Sequence, residues 1–261
     1  MRSMYPAAMA ALLLGVSAEA ATTNYSAQQS TIKYSTTSGV TSGFGNYARA
    51  TSTVVYDPSS DTYTIRDTGS LTTTSSFAPS DIVSSSGNFT IYSKNGGTET
   101  FRLLNKGAVG LTYVDYGEWR RSSTASGTTS VNDTYLVFGS KTPAASVPRS
   151  GSGTYSTTYD GTFADNNGEH ALGGTGSMSA NFLAGTLSYS ATINGVPAGA
   201  LAFSGSGNIN FRSAGFTTST SSGGYNFSQF GNFYGPSVNE VGGLFRLWNS
   251  MGAGQGAFVG H

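Results

Sequence analysis

Apolar and polar residues alternate one for one along the C-terminal half of the chain. In "GTLSYSATI", Leu187, Tyr189, Ala191 and Ile193 alternate with Thr186, Ser188, Ser190 and Thr192. In "ALAFSGSGNINF", Leu201, Phe203, Ile209 and Phe211 share one face, and Gly205 and Gly207 lie on that same face. Tyr155, Tyr159 and Phe163 repeat the pattern, as do Met178, Ala180 and Phe182. A period of two over these lengths predicts strands with one apolar and one polar face. Glycine inside a strand weakens it, so two glycines on the apolar face predict a sheet that curls tightly, as at a barrel corner.

The segment "GNFYGPSVNEVGGLFRL" (residues 231–247) breaks this rhythm. Gly235-Pro236 ends a strand, because proline has no amide to give to a ladder. "PSVNE" is a turn, after which Val241, Gly243, Phe245 and Leu247 resume one face. Gly242-Gly243 predicts sharp coiling or close approach of another backbone. Glu240 has no acid or histidine beside it in sequence, so its expected role is to accept hydrogen bonds from nearby turn amides rather than to catalyse.

The first half is strand-rich and less regular. "STVVYDPSSDTYTIRD" reads as a hairpin around residues 57–60, and "NFTIYSKNGGTETFRLL" as another turning at residues 95–97. "LTYVDY" and "TYLVFG" add two strands, with "RRSSTASGTTSVND" between them as a polar loop. "GSKTPAASVPRSGSG" holds Pro143 and Pro148 without periodicity and reads as a linker. The expected organisation is a β-rich domain over residues 21–140, a linker over 141–150 and a β-barrel over 151–261. Residues 1–20 read as a signal peptide: Arg2, the apolar run "PAAMAALLLGVSA", and Ala18 and Ala20 before a cut. That run is too short to span a bilayer, and no later stretch is long enough.

Composition narrows the functions. Lys plus Arg and Asp plus Glu both number 13 in 261 residues, so the formal charge is zero and nothing suggests nucleic acid. With no cysteine, neither a disulfide framework nor an acylated lipid anchor is expected. The only histidines are His170 and His261, too few for a Cys/His metal site, and no G-x-S-x-G elbow occurs. We therefore expect no catalytic residues, no metal and no enzyme. Two features are candidate ligand-binding residues. His170, in "DGTFADNNGEHALGG", reads as a polar-loop imidazole able to ligate a haem iron, or as an ordinary exposed loop histidine. Trp119, Arg120 and Arg121, in "YGEWRRSS", are residue types that anchor protein interfaces; alternatively Trp119 caps a core.

"NFYGPSVNEVGGLF" resembles the F-Y-G-P-x-A-x-E-x-G-G-x-F signature of the transferrin-binding protein B family. "GQGAFVGH" resembles that family's closing strand, and "YLVFGSKTPAASVPRSGSGTY" the way its chain enters the barrel. The resemblance implies an all-β protein, a handle domain followed by an eight-stranded antiparallel β-barrel, with a length that fits one such lobe. It implies a non-enzymatic, exported binding protein of a Gram-negative bacterium, soluble and monomeric, periplasmic or secreted to the cell surface. Its ligand would be a host or environmental protein, haem (hence a role in iron acquisition) or another solute, held by loops. Three other readings stay open: an outer-membrane barrel with its apolar face outward, a secreted hydrolase using His170, and a self-assembling surface or matrix protein.

Overall fold

The computed structural model describes residues 21–42, 48–67 and 73–261; the expected signal peptide lies outside them. Ten strands precede residue 140: β1 (Thr23–Thr37), β2 (Val40–Ser42), β3 (Ala48–Asp57), β4 (Thr62–Asp67), β5 (Thr74–Phe77), β6 (Ile82–Ser86), β7 (Phe89–Lys94), β8 (Glu99–Leu104), β9 (Val114–Ala125) and β10 (Thr128–Gly139). They form one antiparallel sheet in the order β5-β4-β3-β1-β10-β9-β8-β7-β6, with β2 paired to the end of β1. The sheet curls until its two ends nearly meet. Phe77 on β5 packs on Phe101 of β8 and Tyr92 of β7, with ring centroids 5.2 and 6.0 Å apart. Lys94 Nζ on β7 donates to the Ser76 carbonyl on β5 at 2.7 Å.

The central strands of this sheet are buried on both faces. Leu136 and Phe138 enter the core inside the curl, while Val131, Tyr135 and Val137 point the other way. That is why "TYLVF" reads as an unbroken apolar run. The segment expected as a polar loop, residues 120–133, is instead the continuation of β9 and β10 around a two-residue turn, Ser126-Gly127, both with positive φ. Its hydroxyls form cross-strand pairs, Thr124 with Thr129 at 2.9 Å and Ser35 with Ser130 at 3.2 Å. β-Branched threonine suits a strand, so polarity alone misled the reading.

Eight further strands close into a barrel: β11 (Ser152–Asp165), β12 (Gly168–Asn181), β13 (Thr186–Val196), β14 (Gly199–Asn210), β15 (Gly215–Ser222), β16 (Tyr225–Tyr234), β17 (Glu240–Trp248) and β18 (Gly252–Gly260), with β18 paired to β11. Rings from non-neighbouring strands meet on the axis. Tyr159 of β11 packs against Phe227 of β16 and Phe245 of β17, and Phe203 of β14 stacks on Phe227 at 4.7 Å. The Tyr189 ring lies over Gly205, where a Cβ would come within 3.0 Å of it. Ser188, Ser190, Thr192, Ser204 and Ser206 are exposed on the outside. Apolar in and hydroxyl out is the reverse of a membrane barrel, whose outer band is apolar. Among the described residues, no helix is long and apolar enough to cross a membrane.

The curled sheet lies against the outside of the barrel, and the double glycine serves this contact. A Cβ on Gly242 would sit 2.6 Å from Val114 of the sheet; one on Gly243 would sit 2.2 Å from the Phe230 carbonyl within the barrel wall. The intervening segment, residues 140–151, is docked as well. The Thr142 amide donates to the Phe233 carbonyl, the Gly235 amide donates to the Ser140 carbonyl, and Val147 is buried in the barrel core.

Polar groups fasten the two sheets. Glu240, 3% exposed, accepts three consecutive amides: Thr112 at 2.6 Å, Tyr113 at 2.9 Å and Val114 at 2.8 Å. These belong to the segment leading into β9, not to its own turn. Gln255, fully buried on β18, accepts from Ser30 Oγ at 2.6 Å and donates to the Ser30 and Asp133 carbonyls. Arg102 bridges Glu118 and Asp160, and Arg120 grips Glu169 through two nitrogens. Glu240→Ala removes the acceptor of three amides, that of Val114 buried and those of Thr112 and Tyr113 part-buried, so we expect a loss of about 3 kcal/mol, and about half that for Glu240→Gln, read from urea unfolding midpoints.

Candidate functional site

A cleft of about 750 Å³ opens between β1 of the curled sheet and the barrel wall at β14–β16. It forms because β14 and β15 pair at only four positions, from Gly207↔Thr218 to Asn210↔Gly215, beside a strand that arrives from the other sheet. β1 contributes Asn24, Tyr25, Ser26 and Gln28; the barrel contributes Asn208, Asn210, Thr217, Phe230 and Asn232. Amides and hydroxyls alternate here with aromatic edges. Lys141 is the one ionisable cation among the described lining residues, and burial pulls its pKa below the usual lysine range. The Gln28 Oε1 atom is buried without a hydrogen-bond partner among the described residues. A buried carbonyl of this kind gains free energy from any donor brought to it. The cleft was not legible in the sequence, since its asparagines run from Asn24 to Asn232 and nothing periodic links them.

The structure separates the residues singled out from the sequence. Trp119 is 1% exposed inside the curl, where its indole N–H donates to Glu99 Oε1 at 2.9 Å. Arg121 lies over that indole, 3.9 Å from the ring centre, and donates to Thr73 Oγ1. Arg120, between them on β9, points to the opposite face and holds Glu169 of the barrel. The trio is therefore not one patch. His170 lies on β12, the third residue after the β11–β12 turn, rather than in a loop. Its Nε2 is 3.2 Å from Asp165 Oδ1, and its side chain is 29% exposed. It stands at the barrel end opposite the β14–β15 turn, away from the cleft. No group of three or more His, Cys, Asp or Glu able to hold a metal occurs among the described residues.

A second cavity of about 230 Å³ shares Tyr25 and Gly139 with the cleft and is otherwise lined by Tyr56, Tyr63, Lys106, Asp115 and Phe138. Asp115, on the inner face of β9, accepts the Tyr116 amide at 2.9 Å. Burial pushes its carboxyl up to about 7, against the opposing pull of Lys106. The folded protein thus keeps a proton that the unfolded chain releases above about pH 4. Between there and about pH 7, stability falls as pH rises, by about 1.4 kcal/mol per unit. Asparagine keeps the Tyr116 hydrogen bond and cannot ionise. We therefore expect Asp115→Asn to be stabilising by up to about 4 kcal/mol at about pH 8, with the gain shrinking by more than half at about pH 5, as read from thermal melts at the two pH values.

No protein-family model matches the chain, and no curated protein matches it. Solved structures do. Transferrin Binding Protein B of Haemophilus parasuis Hp5, a vaccine antigen crystallised as a tryptophan-to-alanine mutant, is 18% identical over 89% of this chain and 44% of its own, with a TM-score of 0.51. The isotype 1 transferrin binding protein B of serogroup B Neisseria meningitidis is 15% identical over 88% of this chain and 43% of its own, also with a TM-score of 0.51. The chain spans less than half the length of these two proteins. At such identities the likeness is one of fold: the chain has the transferrin-binding-protein-B fold, a curled β-sheet handle followed by a closed eight-stranded antiparallel barrel.

Proposed function

We propose that the chain is an exported, non-enzymatic binding protein, acting in the periplasm or at the cell surface, whose ligand seat is the cleft between handle and barrel. The observation that carries this reading is the cleft's lining: side-chain amides and hydroxyls with aromatic rings and, among the described residues, a single cation, Lys141. Amide side chains both donate and accept, which suits the backbone of an extended protein segment. The ligand class is accordingly a loop or strand of another protein. The shared fold supports the reading, because the two similar structures are named for binding transferrin. Hydrolysis finds no support, since His170 faces Asp165 and no serine or threonine hydroxyl is hydrogen-bonded to it among the described residues.

The absence of cysteine gives a direct test. A thiol introduced by Asn208→Cys in the cleft, or by Ser188→Cys on the exposed face of β13, carries a photo-crosslinker into host or environmental protein mixtures. A discrete adduct from the Asn208 position and none from Ser188 is the expected result. Equal labelling from both, or from neither, would refute the cleft as the seat. Haemin titration tests haem separately: we expect no Soret shift, whereas a shift abolished by His170→Ala would move the ligand site to His170.

A further inference from the structure

The smaller cavity has a chemistry distinct from the cleft. Four aromatic rings line it, one each from β1, β3, β4 and β10, and they come in two packed pairs. Tyr25 and Phe138 have centroids 5.7 Å apart, and Tyr56 and Tyr63 are 4.7 Å apart. Asp115 lines the same cavity: it is the cross-strand partner of Phe138, and its charge acts on Tyr63. Ring faces carry partial negative charge, and a carboxylate adds a full one. A buried carboxylate is costly unless it is matched by a cation. Lys106 acts on Asp115 from the rim, but the two form no ion pair among the described residues.

We propose that the Tyr25, Tyr56, Tyr63 and Phe138 box, with Asp115 as its acid, binds a small organic cation, a methylated ammonium group on a compact aliphatic body. The geometry disfavours the alternatives. An anion would meet a carboxylate and four electron-rich rings. A neutral apolar ligand would leave the carboxylate unmatched in a drier pocket. A bare inorganic cation needs several oxygen ligands, whereas this cavity offers one carboxylate and phenol hydroxyls. Methylated ammonium is weakly hydrated, fills an aromatic box through its methyl groups and sets its charge against the acid. The proposal stands apart from the reading of the cleft: the box would bind its cation whether or not a protein segment occupies the cleft.

The test titrates the purified protein with choline by calorimetry at about pH 8, where Asp115, pushed up to about 7, is ionised, and follows tyrosine emission. The control ligand is choline's neutral isostere, in which a quaternary carbon replaces the nitrogen. We expect saturable choline binding, with the isostere weaker by at least about tenfold. Asp115→Asn is expected to weaken choline binding by a similar factor while melting no lower than the parent. Lys106→Ala, which removes a competing positive charge at the rim, is expected to tighten it. No saturable binding of choline, equal affinity for the isostere, unchanged binding in a folded Asp115→Asn, or weaker binding in Lys106→Ala would each overturn the proposal.

Discussion

One buried carboxylate decides how the two halves of the molecule meet. Glu240 opens β17 of the barrel and gathers the amides of residues 112–114, which lead into the handle. Those amides lie at the start of β9, beyond the last β8–β9 pair at Leu103↔Gly117, with β10 paired on the other side. Without an acceptor the buried Val114 amide would cost about 1–3 kcal/mol, and the part-buried amides of Thr112 and Tyr113 less. The turn Gly235–Asn239 exists to deliver this side chain, and Gly242 next to it lets Val114 lie flush on the barrel wall.

Around that anchor the interface is a polar seam set in an apolar one. Leu244, Ala257 and Val259 of the barrel meet Val114, Tyr116 and Val137 of the handle. Gln255, Ser30, Thr162, Tyr135 and Asp133 form a hydrogen-bonded chain among them. Burial and the neighbouring charge of Glu118 hold the Asp133 carboxyl well above the usual carboxylate range, which favours its neutral form inside the seam. Hydrophobic contact alone would let two curved surfaces slide on one another; directional bonds fix one register. The cleft depends on that register, whereas the aromatic box is lined by handle residues alone. The cleft is the gap left where β1 runs past β14–β16, and the aromatic box lies on the other side of Tyr25.

The barrel was legible in the sequence. Its strands carry one buried face and one exposed face, so the period of two survives in residues such as Leu187 to Ile193. The handle was harder to read because β1, β9 and β10 are buried on both faces. On β1, Gln29, Ser30 and Thr31 are buried polar residues satisfied by partners, so the longest strand of the sheet carries no hydrophobic rhythm. The run from Arg120 to Asp133 read as a loop for another reason: most of its polar side chains are exposed or half-exposed on both faces of a hairpin, so no apolar rhythm marks the strands. The candidate sites fared unevenly. Trp119, Arg120 and Arg121 are adjacent in sequence, yet pleating sends Arg120 to one face and its neighbours to the other.

The amino-acid order by itself determined the local facts: where strands alternate, where Gly-Pro ends one, and that an acid follows the turn. These depend on neighbours within a few positions, and a period of two reports them directly. The tertiary structure alone decided which surfaces came together. Glu240 lies 126 positions from Val114, and Asn24 shares a cleft with Asn232. Asp115 meets Tyr25, Tyr56 and Tyr63 only because the sheet curls. Burial, shifted ionisation and cavity shape are properties of that meeting, and no window along the chain contains them.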